Sequence, residues 1–268
     1  MSCKVYFAVV LYNGYISDIA SLDVFMSFCD EDKAKLIILD NSSKEYTDEN
    51  TELLNKNKYK NVIYVNNGGN IGLSKSYNKA IEIIKDADCW LMLCDDDTHF
   101  SYDYINNVYE YINGDYDCDL ITGLITANGK ITSPVRRNGV FKKESDVIND
   151  YGIHENIYPI NSGVVIHNVI FNKVRFNETL FLDMIDYCFM DDLIKNKLNR
   201  FIILEGEISQ NFSFSDTSDI VAVKNRFSIF KKDFSNYCRI QKKDFIYKTT
   251  ILGKRYLRIK LQEVKSKH

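Results

Sequence analysis

The feature that most constrains this 268-residue chain is a recurring unit: a short, wholly apolar run, a cluster of Asn, Asp, Gly or Ser, then a segment with helical spacing. Runs rich in β-branched and aromatic residues lie at 5–11, 36–39, 62–65, 89–94, 120–121 and 164–166. Runs without alternation are the pattern of strands buried on both faces. Helical spacing is clearest over 74–85, where Tyr77, Ala80, Ile81 and Ile84 fall at i, i+3, i+4 and i+7, with Ser74 as the expected N-cap. Further helices are expected over 16–29, 48–57, 102–112 and 184–198. Strands alternating with helices predict an α/β fold with a mostly parallel central sheet flanked by helices. In such sheets ligands bind beyond the carboxyl ends of the strands, so the residues after each apolar run form the candidate site.

Composition narrows the class. At 45% hydrophobic and 26% charged the chain is an ordinary globular protein, which excludes disorder, collagen-like repeats and a small disulfide scaffold. It has no apolar run of about 18 residues, the length a transmembrane helix needs. The first residues read as a buried strand and not as a signal peptide. Seven cysteines (Cys3, Cys29, Cys89, Cys94, Cys118, Cys188 and Cys238) are scattered without a C-x-x-C pair, so neither a zinc site nor a disulfide frame is expected, and a reducing cytoplasm is.

The residues after the runs share one chemistry. Tyr12-Asn13-Gly14 follows the first, Asp40-Asn41-Ser42 the second, Asn66-Asn67-Gly68-Gly69-Asn70 the third, and Asp95-Asp96-Asp97-Thr98 the fourth. Each alone is turn chemistry; together on one rim they outline a pocket. Carboxylates spaced like Asp95 and Asp97 at a strand end can share Mg²⁺ or Mn²⁺, which draws further oxygens from a substrate phosphate. A second acidic group, Asp183 and Asp186, lies three residues apart where a helix is expected to start, so one of the pair can serve as a positioned base. The glycine-rich stretch 67–72 fits neither a dinucleotide-binding fingerprint nor a P-loop, but lets backbone approach a ligand closely; Asn78, one turn into the next helix, is expected to face the same rim. Arg136 and Arg137, after Ser133-Pro134, could meet a diphosphate or an acceptor, but read first as exposed loop arginines, and the four histidines are incidental, with His99 beside the acidic triplet the one to watch.

In this order the motifs resemble family 2 glycosyltransferases with the GT-A fold, nearest the bacterial rhamnosyltransferase-like and galactofuranosyltransferase-like branch. The resemblance spans residues 5–215 and rests on Val9-Val10-Leu11-Tyr12-Asn13, Ile38-Leu39-Asp40-Asn41-Ser42, the 67–72 stretch with Asn78, Leu93-Cys94-Asp95-Asp96-Asp97-Thr98, Asn161-Ser162-Gly163, and Phe181-Leu182-Asp183-Met184-Ile185-Asp186. It implies that Tyr12, Asn13, Asp40, Asn41, Asn67, Gly69, Asn70, Gly72, Asn78, Asp95 and Asp96 hold a nucleotide-diphosphate sugar. It assigns Asp95 and Asp97 to a D-x-D pair holding a divalent cation, Mn or Mg, and Asp186, with Asp183 as runner-up, to the catalytic base. It also implies a catalytic domain over 1–215, with a nucleotide-sugar half of about 1–98 and an acceptor half of about 99–215. The implied reaction is inverting transfer of a hexose, from a dTDP-rhamnose or UDP-galactose/galactofuranose type of donor, to a lipid-linked or oligosaccharide acceptor of a capsular or O-antigen-like polysaccharide. The chain departs from the family where a histidine often follows the strand after the base helix. Here Ile208-Ser209-Gln210-Asn211-Phe212 stands, so Gln210 or Asn211 is expected at the phosphate, or the metal is held more loosely.

Two other activities fit less well. A haloacid-dehalogenase-type phosphatase needs Thr four residues after its first Asp, whereas Thr98 follows Asp95 by three. A sugar-nucleotidyltransferase needs a longer basic first loop than Asn13-Gly14. The non-enzyme alternative is an inactive sugar-nucleotide-binding protein.

The net charge of -3 conceals a split: residues 221–268 carry 14 Lys and Arg against 3 acids, a surplus of 11, which leaves -14 on the rest. The basic, aromatic-rich extension over 216–268 reads as helical and suited to an anionic inner-membrane surface, the alternative being helices packed on the catalytic domain with a solvated basic face. Nucleic acid is not expected, since no recognition motif accompanies the charge.

Overall fold

The computed structural model describes residues 5–57, 59–86, 88–137, 146–210 and 220–265. The four apolar runs of the amino-terminal half become β1 (Val5–Leu11), β2 (Ala34–Asp40), β3 (Val62–Asn66) and β4 (Trp90–Asp95). They pair in parallel in the order β4-β1-β2-β3. Between them run α1 (Leu22–Asp30), α2 (Lys44–Asn57) and α3 (Leu73–Ile83). After β4 come a short β5 (Thr98–Phe100), α4 (Tyr102–Asn113), β6 (Leu120–Ala127) and β7 (Lys130–Ser133). The pair β8 (Val135–Arg136) and β9 (Asp146–Val147) forms a separate small sheet. β10 (Gly152–Glu155), β11 (Val165–His167), α5 (Ile185–Lys195) and β12 (Arg200–Gln210) complete the main body.

The large sheet has ten strands, ordered β10-β12-β6-β11-β4-β1-β2-β3, with β5 on β12 and β7 on β6. β11 is antiparallel to both β4 and β6, so β3, β2, β1, β4, β6 and β12 all point the same way. Both faces are covered, which explains the unbroken apolar runs. Tyr6, Ala8 and Val10 of β1 face one core with Ile37, Leu91 and Leu93; Phe7, Val9 and Leu11 face the other with Ile38, Met92 and Cys94.

Register builds the rim. Leu11 stands opposite Asp40, Asp40 opposite Asn66, and Val10 opposite Asp95, so four adjacent strands end in one row. Chain order reverses between β4 and β1, the switch point where open α/β sheets bind ligands. Near its end β12 changes register between Leu204 and Ile208, then pairs β5 so that Gln210 stands opposite Thr98. Such irregularities re-aim a strand. This one needs Gly206, at φ 125, because a Cβ there would lie 2.4 Å from Cα of Tyr104.

Two expectations are corrected. The helix over 16–29 is interrupted: Ile16–Asp18 is a single 3₁₀ turn and α1 starts at Leu22. The intervening residues are recruited by the acidic triplet, Ala20 N donating to Asp96 O at 2.9 Å and Ser21 Oγ to Thr98 O at 2.9 Å. Ser74 is not an N-cap; Gly72 holds that position, and the buried Ser74 Oγ has no partner. The six described cysteines are buried and unbridged; Cys3 lies outside the described residues.

The carboxyl-terminal stretch forms α6 (Ile220–Ile240) and α7 (Phe245–Lys265). Phe230, Phe234, Tyr237, Cys238 and Tyr247 join the same core as Tyr77 and Phe189, so these helices complete the main core while carrying the basic charge. Among the described residues no helix is long and apolar enough to cross a membrane.

Candidate functional site

The rim is cross-linked by its own polar side chains. Asn13, at φ 49, donates its amide N–H to Ser42 Oγ at 2.8 Å and accepts from Ser43 N at 3.1 Å, tying the β1 loop to the β2 loop. Asp40 is fully buried: Oδ1 accepts from Ser42 N at 2.8 Å, and Oδ2 from Asn50 Nδ2 at 2.9 Å and the Tyr64 hydroxyl at 2.7 Å. Asn50 also receives the Ile16 amide at 2.9 Å and donates to Gly14 O at 3.1 Å, so one buried side chain of α2 braces two loops. Asn41 donates to Ser76 Oγ at 3.0 Å and accepts from Asn67 Nδ2 at 2.9 Å, while Asn67 Oδ1 receives Lys79 Nζ at 2.7 Å. Tyr12 is 56% exposed. Gly69 is half-buried yet has open space where a Cβ would stand, whereas Asn70 accepts from Gly72 N at 3.0 Å and shapes the entry to α3.

Asn78 does not face the rim. Its Nδ2 donates to Phe176 O at 2.9 Å and Glu178 Oε1 at 3.0 Å, and its Oδ1 accepts from Phe176 N at 3.1 Å, so it clamps the chain leading to the second acidic group. Gly72 meets the same chain farther on, where Leu73 N donates to Phe181 O at 2.8 Å.

The acidic triplet is held by the turn before β11 and by the end of β12. Asp95 N donates to Ser162 Oγ at 3.1 Å and Ser162 Oγ donates to Thr98 Oγ1 at 2.9 Å, which gives the Asn161-Ser162-Gly163 motif its local task. Gln210 Nε2 donates to Asp95 Oδ2 at 3.1 Å and Asp97 Oδ1 at 3.2 Å, bridging the two carboxylates. Asn211 lies outside the described residues. Burial, then the charges of Asp97 and Asp96, push Asp95 up to about 7 against the pull of Gln210. Burial and Asp97 raise Asp96 to about 6. Asp186 also contributes to the rise at Asp95, so the two acidic groups are electrostatic neighbours. Tyr77, fully buried, is pushed well above the ordinary tyrosine range by burial and by both Asp95 and Asp186.

The two acids of the second group are held differently. Asp183 is bound by both terminal nitrogens of Arg226, Nη2 to Oδ1 at 2.7 Å and Nη1 to Oδ2, an arrangement that commits its carboxylate. Asp186 occupies the first turn of α5 and accepts a local bond from Tyr187 N at 2.8 Å. Burial raises it to about 6, with Asp183 adding to the rise and the Tyr187 amide and Arg137 opposing it.

Arg137 is no loose surface arginine. Nη1 donates to the Tyr237 hydroxyl at 3.0 Å, the guanidinium lies 5.3 and 5.1 Å from the ring centres of Tyr158 and Tyr187, and the Asp191 carboxylate accepts from both Tyr158 and Tyr237 at 2.7 Å. Arg136 and His99 are exposed.

Among the described residues no group of three or more His, Cys, Asp or Glu could hold a metal unaided. The Asp95–Asp97 pair, close enough to share one amide, with Asp95 pushed up by burial and by the neighbouring carboxylates, fits a hard divalent ion that completes its shell with water and substrate phosphate. The buried Gln210 Oε1, without a partner, is a further oxygen at the same place.

The sequence model described as Glycosyl transferase family 2 matches residues 19–178. Comparison with curated protein sequences finds no match. Among solved structures, the chain is similar to S. aureus TarS 1-349 in complex with UDP-GlcNAc, at 15% identity and TM-score 0.56, covering 94% of this chain and 71% of that one. It is also similar to GalNAc-T7 with UDP, GalNAc and Mn2+, at 10% identity and TM-score 0.61, over 96% of this chain and 54% of that one. A third is the mannosyltransferase PcManGT from Pyrobaculum calidifontis with GDP-Man and Mn2+, at 10% identity and TM-score 0.54, over 96% and 69%. The fold is the GT-A fold these structures share.

Proposed function

The chain belongs to glycosyl transferase family 2, and from that premise we propose that it transfers a hexose with inversion from a nucleotide-diphosphate sugar to a growing cell-surface polysaccharide. The donor is of the dTDP-rhamnose or UDP-galactose/galactofuranose type, and the acceptor is lipid-linked or an oligosaccharide. The observation that supports this most is that the acidic triplet ends β4 beside the switch point and a second, separately built acidic residue, Asp186, is near enough to add to the rise at Asp95.

In this reading Tyr12, Asn13, Asp40, Asn41, Asn67, Gly69, Asn70 and Gly72 form the nucleoside side of the rim, while Asp95 and Asp96 stand at the sugar and diphosphate. Asp95 and Asp97 would hold the divalent cation, which when bound offsets negative charge on the departing nucleoside diphosphate. Asp186 is the base and Asp183 is not, because Arg226 already occupies both oxygens of Asp183. The Asp186 carboxylate takes the proton of the acceptor hydroxyl as that oxygen bonds to the anomeric carbon and the bond to diphosphate breaks on the opposite side. Arg137, in its tyrosine cage, stabilises the ionised form of this base.

Thermal-shift measurements with UDP, dTDP and GDP, each with and without Mn²⁺, test the reading. A cation-dependent rise with at least one nucleotide is expected, and no response to any of them refutes a sugar-nucleotide site.

We also place the enzyme peripherally on the inner face of the cell membrane. The outward side of α7 exposes Phe245, Ile246, Tyr256, Leu257 and Leu261, at 78, 68, 49, 61 and 65%, among the exposed cations Lys254, Arg258 and Lys260. An apolar stripe flanked by cations suits an anionic bilayer, whereas a second copy would bring the same positive charge against itself. Sedimentation with phosphatidylserine-containing vesicles is expected for wild type and not for a Leu257→Asp/Leu261→Asp double variant; equal sedimentation of both refutes this face.

A further inference from the structure

The loop bearing the acidic motif is gripped from outside by α6. Phe181 N donates to Asp233 Oδ1 at 3.0 Å, and Leu182 N and Asp183 N donate to Asp233 Oδ2 at 2.7 and 2.9 Å. Asp233 is fully buried, among neighbours such as Phe230, Phe234 and Tyr237 that are otherwise apolar or aromatic. A buried carboxylate is costly unless its oxygens are satisfied, and three consecutive backbone N–H groups satisfy it. An asparagine has one acceptor oxygen and could not reproduce this, so both carboxylate oxygens are used.

Arg226 lies seven residues earlier on α6, close to two helical turns, and therefore on the same side of the helix. From there it reaches the Asp183 carboxylate through both terminal nitrogens. One helix face thus holds the loop twice, by its backbone at 181–183 and by a side chain at Asp183. The next residue, Met184, is in the left-handed region at φ 62, and α5 begins immediately after it with Asp186 in its first turn. Any shift of 181–183 is passed through that single left-handed residue to the start of α5.

We propose that Asp233 and Arg226 are positioning residues for the transfer step, fixing loop 181–183 so that Asp186 is presented to the acceptor hydroxyl while Asp183 is kept as an ion-paired bystander. The proposal rests on Asp186 being the base. It gives α6 a part in the chemistry that neither its basic composition nor its distance along the chain suggests, and neither residue touches substrate.

The test uses the full-length enzyme with Asp233→Asn, Arg226→Gln and Asp186→Asn. UDP-galactose and dTDP-rhamnose serve as donors, with release of nucleoside diphosphate as the readout, and UDP and dTDP with Mn²⁺ as binding probes. Displacement of a catalytic group by about 1 Å can cost on the order of a hundredfold, so Asp233→Asn is expected to lower kcat by about that factor while donor KM and nucleotide affinity stay within about twofold. Amides of Phe181, Leu182 and Asp183 are expected to exchange faster in Asp233→Asn. Arg226→Gln, which leaves the buried Asp233 bonds intact and so keeps the test valid if Asp233→Asn fails to fold, is expected to show a smaller loss confined to kcat. Wild-type kcat in both variants, with Asp186→Asn inactive, overturns the positioning role. So does a loss of kcat matched by equal loss of nucleotide affinity, the mark of general destabilisation. An inactive wild type, or a fully active Asp186→Asn, overturns the transferase reading itself and the positioning role with it.

Discussion

Gly72 joins the glycine-rich loop to the loop at Phe181–Asp183, and Gly72→Ala measures how tightly the two are joined. The residue sits at φ 88 and ψ 160, a region essentially confined to glycine, where another residue costs on the order of 1–3 kcal/mol. A Cβ would also lie 2.6 Å from Cδ2 of Phe181 and 2.8 Å from its carbonyl oxygen. The ring can swing aside, but the carbonyl cannot: it accepts from Leu73 N, and the Phe181 amide is fixed on Asp233. Overpacking of this sort adds typically about 1–3 kcal/mol, so the whole cost is about 4 kcal/mol. At roughly 2–4 °C per kcal/mol for a domain of this size, the melting temperature falls by roughly 10 °C. Gly69→Ala is the control, because Gly69 is also at positive φ, 127°, yet has nothing within 4 Å of an added Cβ. It bears the strain alone, and a fall of a few degrees is expected. Calorimetric melts of the two variants beside wild type decide the matter: Gly72→Ala melting no lower than Gly69→Ala would mean that the two loops do not meet as described.

The other expectations are briefer. Asp186 must be ionised to act as base, so transfer should fall away as pH drops through about 6, and a rate flat from pH 5 to 8 would remove Asp186 from that role. Asp95 is raised from 3.8 to about 7, so the folded state holds its proton more tightly than the unfolded chain does. Stability from this site is therefore complete below about pH 4 and is lost as pH rises through 7, and Asp95→Asn should raise the melting point of the metal-free protein at pH 8 but not at pH 5, an increase of equal size at both being the failing result. Asn50→Ala strands the Ile16 amide and removes one donor from the buried Asp40; a loss of about 1–3 kcal/mol is expected in denaturant unfolding, with weaker UDP or dTDP binding, and an unchanged midpoint would contradict the bracing role.

What could be read from the sequence was whatever is local. Strand ends and helical periodicity are properties of a few consecutive residues, which is why β1 to β4 and the polar residues that follow them were found together with their common rim. Ser74 was misjudged because a serine before an apolar-periodic segment is locally a good cap, and the competing demand came from Phe181, over a hundred positions away. Asn78 was misdirected for the same reason, since its partners at 176–178 are reached only through the fold. Asn50 left no usable signal: one asparagine in a helix of low apolar content looks solvated until Asp40 is placed beside it. Gln210 was noticed as a missing histidine, yet only pairing between β12 and β5 shows that it spans Asp95 and Asp97.

The charge split changes meaning once its minority is located. Of the three acids among the basic residues of 221–268, none is a surface counter-charge chosen for balance alone. Asp233 holds the loop at 181–183, Asp244 receives Tyr247 N at 2.6 Å and so caps α7, and Glu263 pairs with Lys224 at 2.9 Å, tying α7 back to α6, as well as with its neighbour Lys260. Each is therefore explained by fixing one part of the carboxyl-terminal pair to another or to the catalytic body. The same two helices thus hold the proposed base with one side and keep a concentrated cationic, apolar surface on the other.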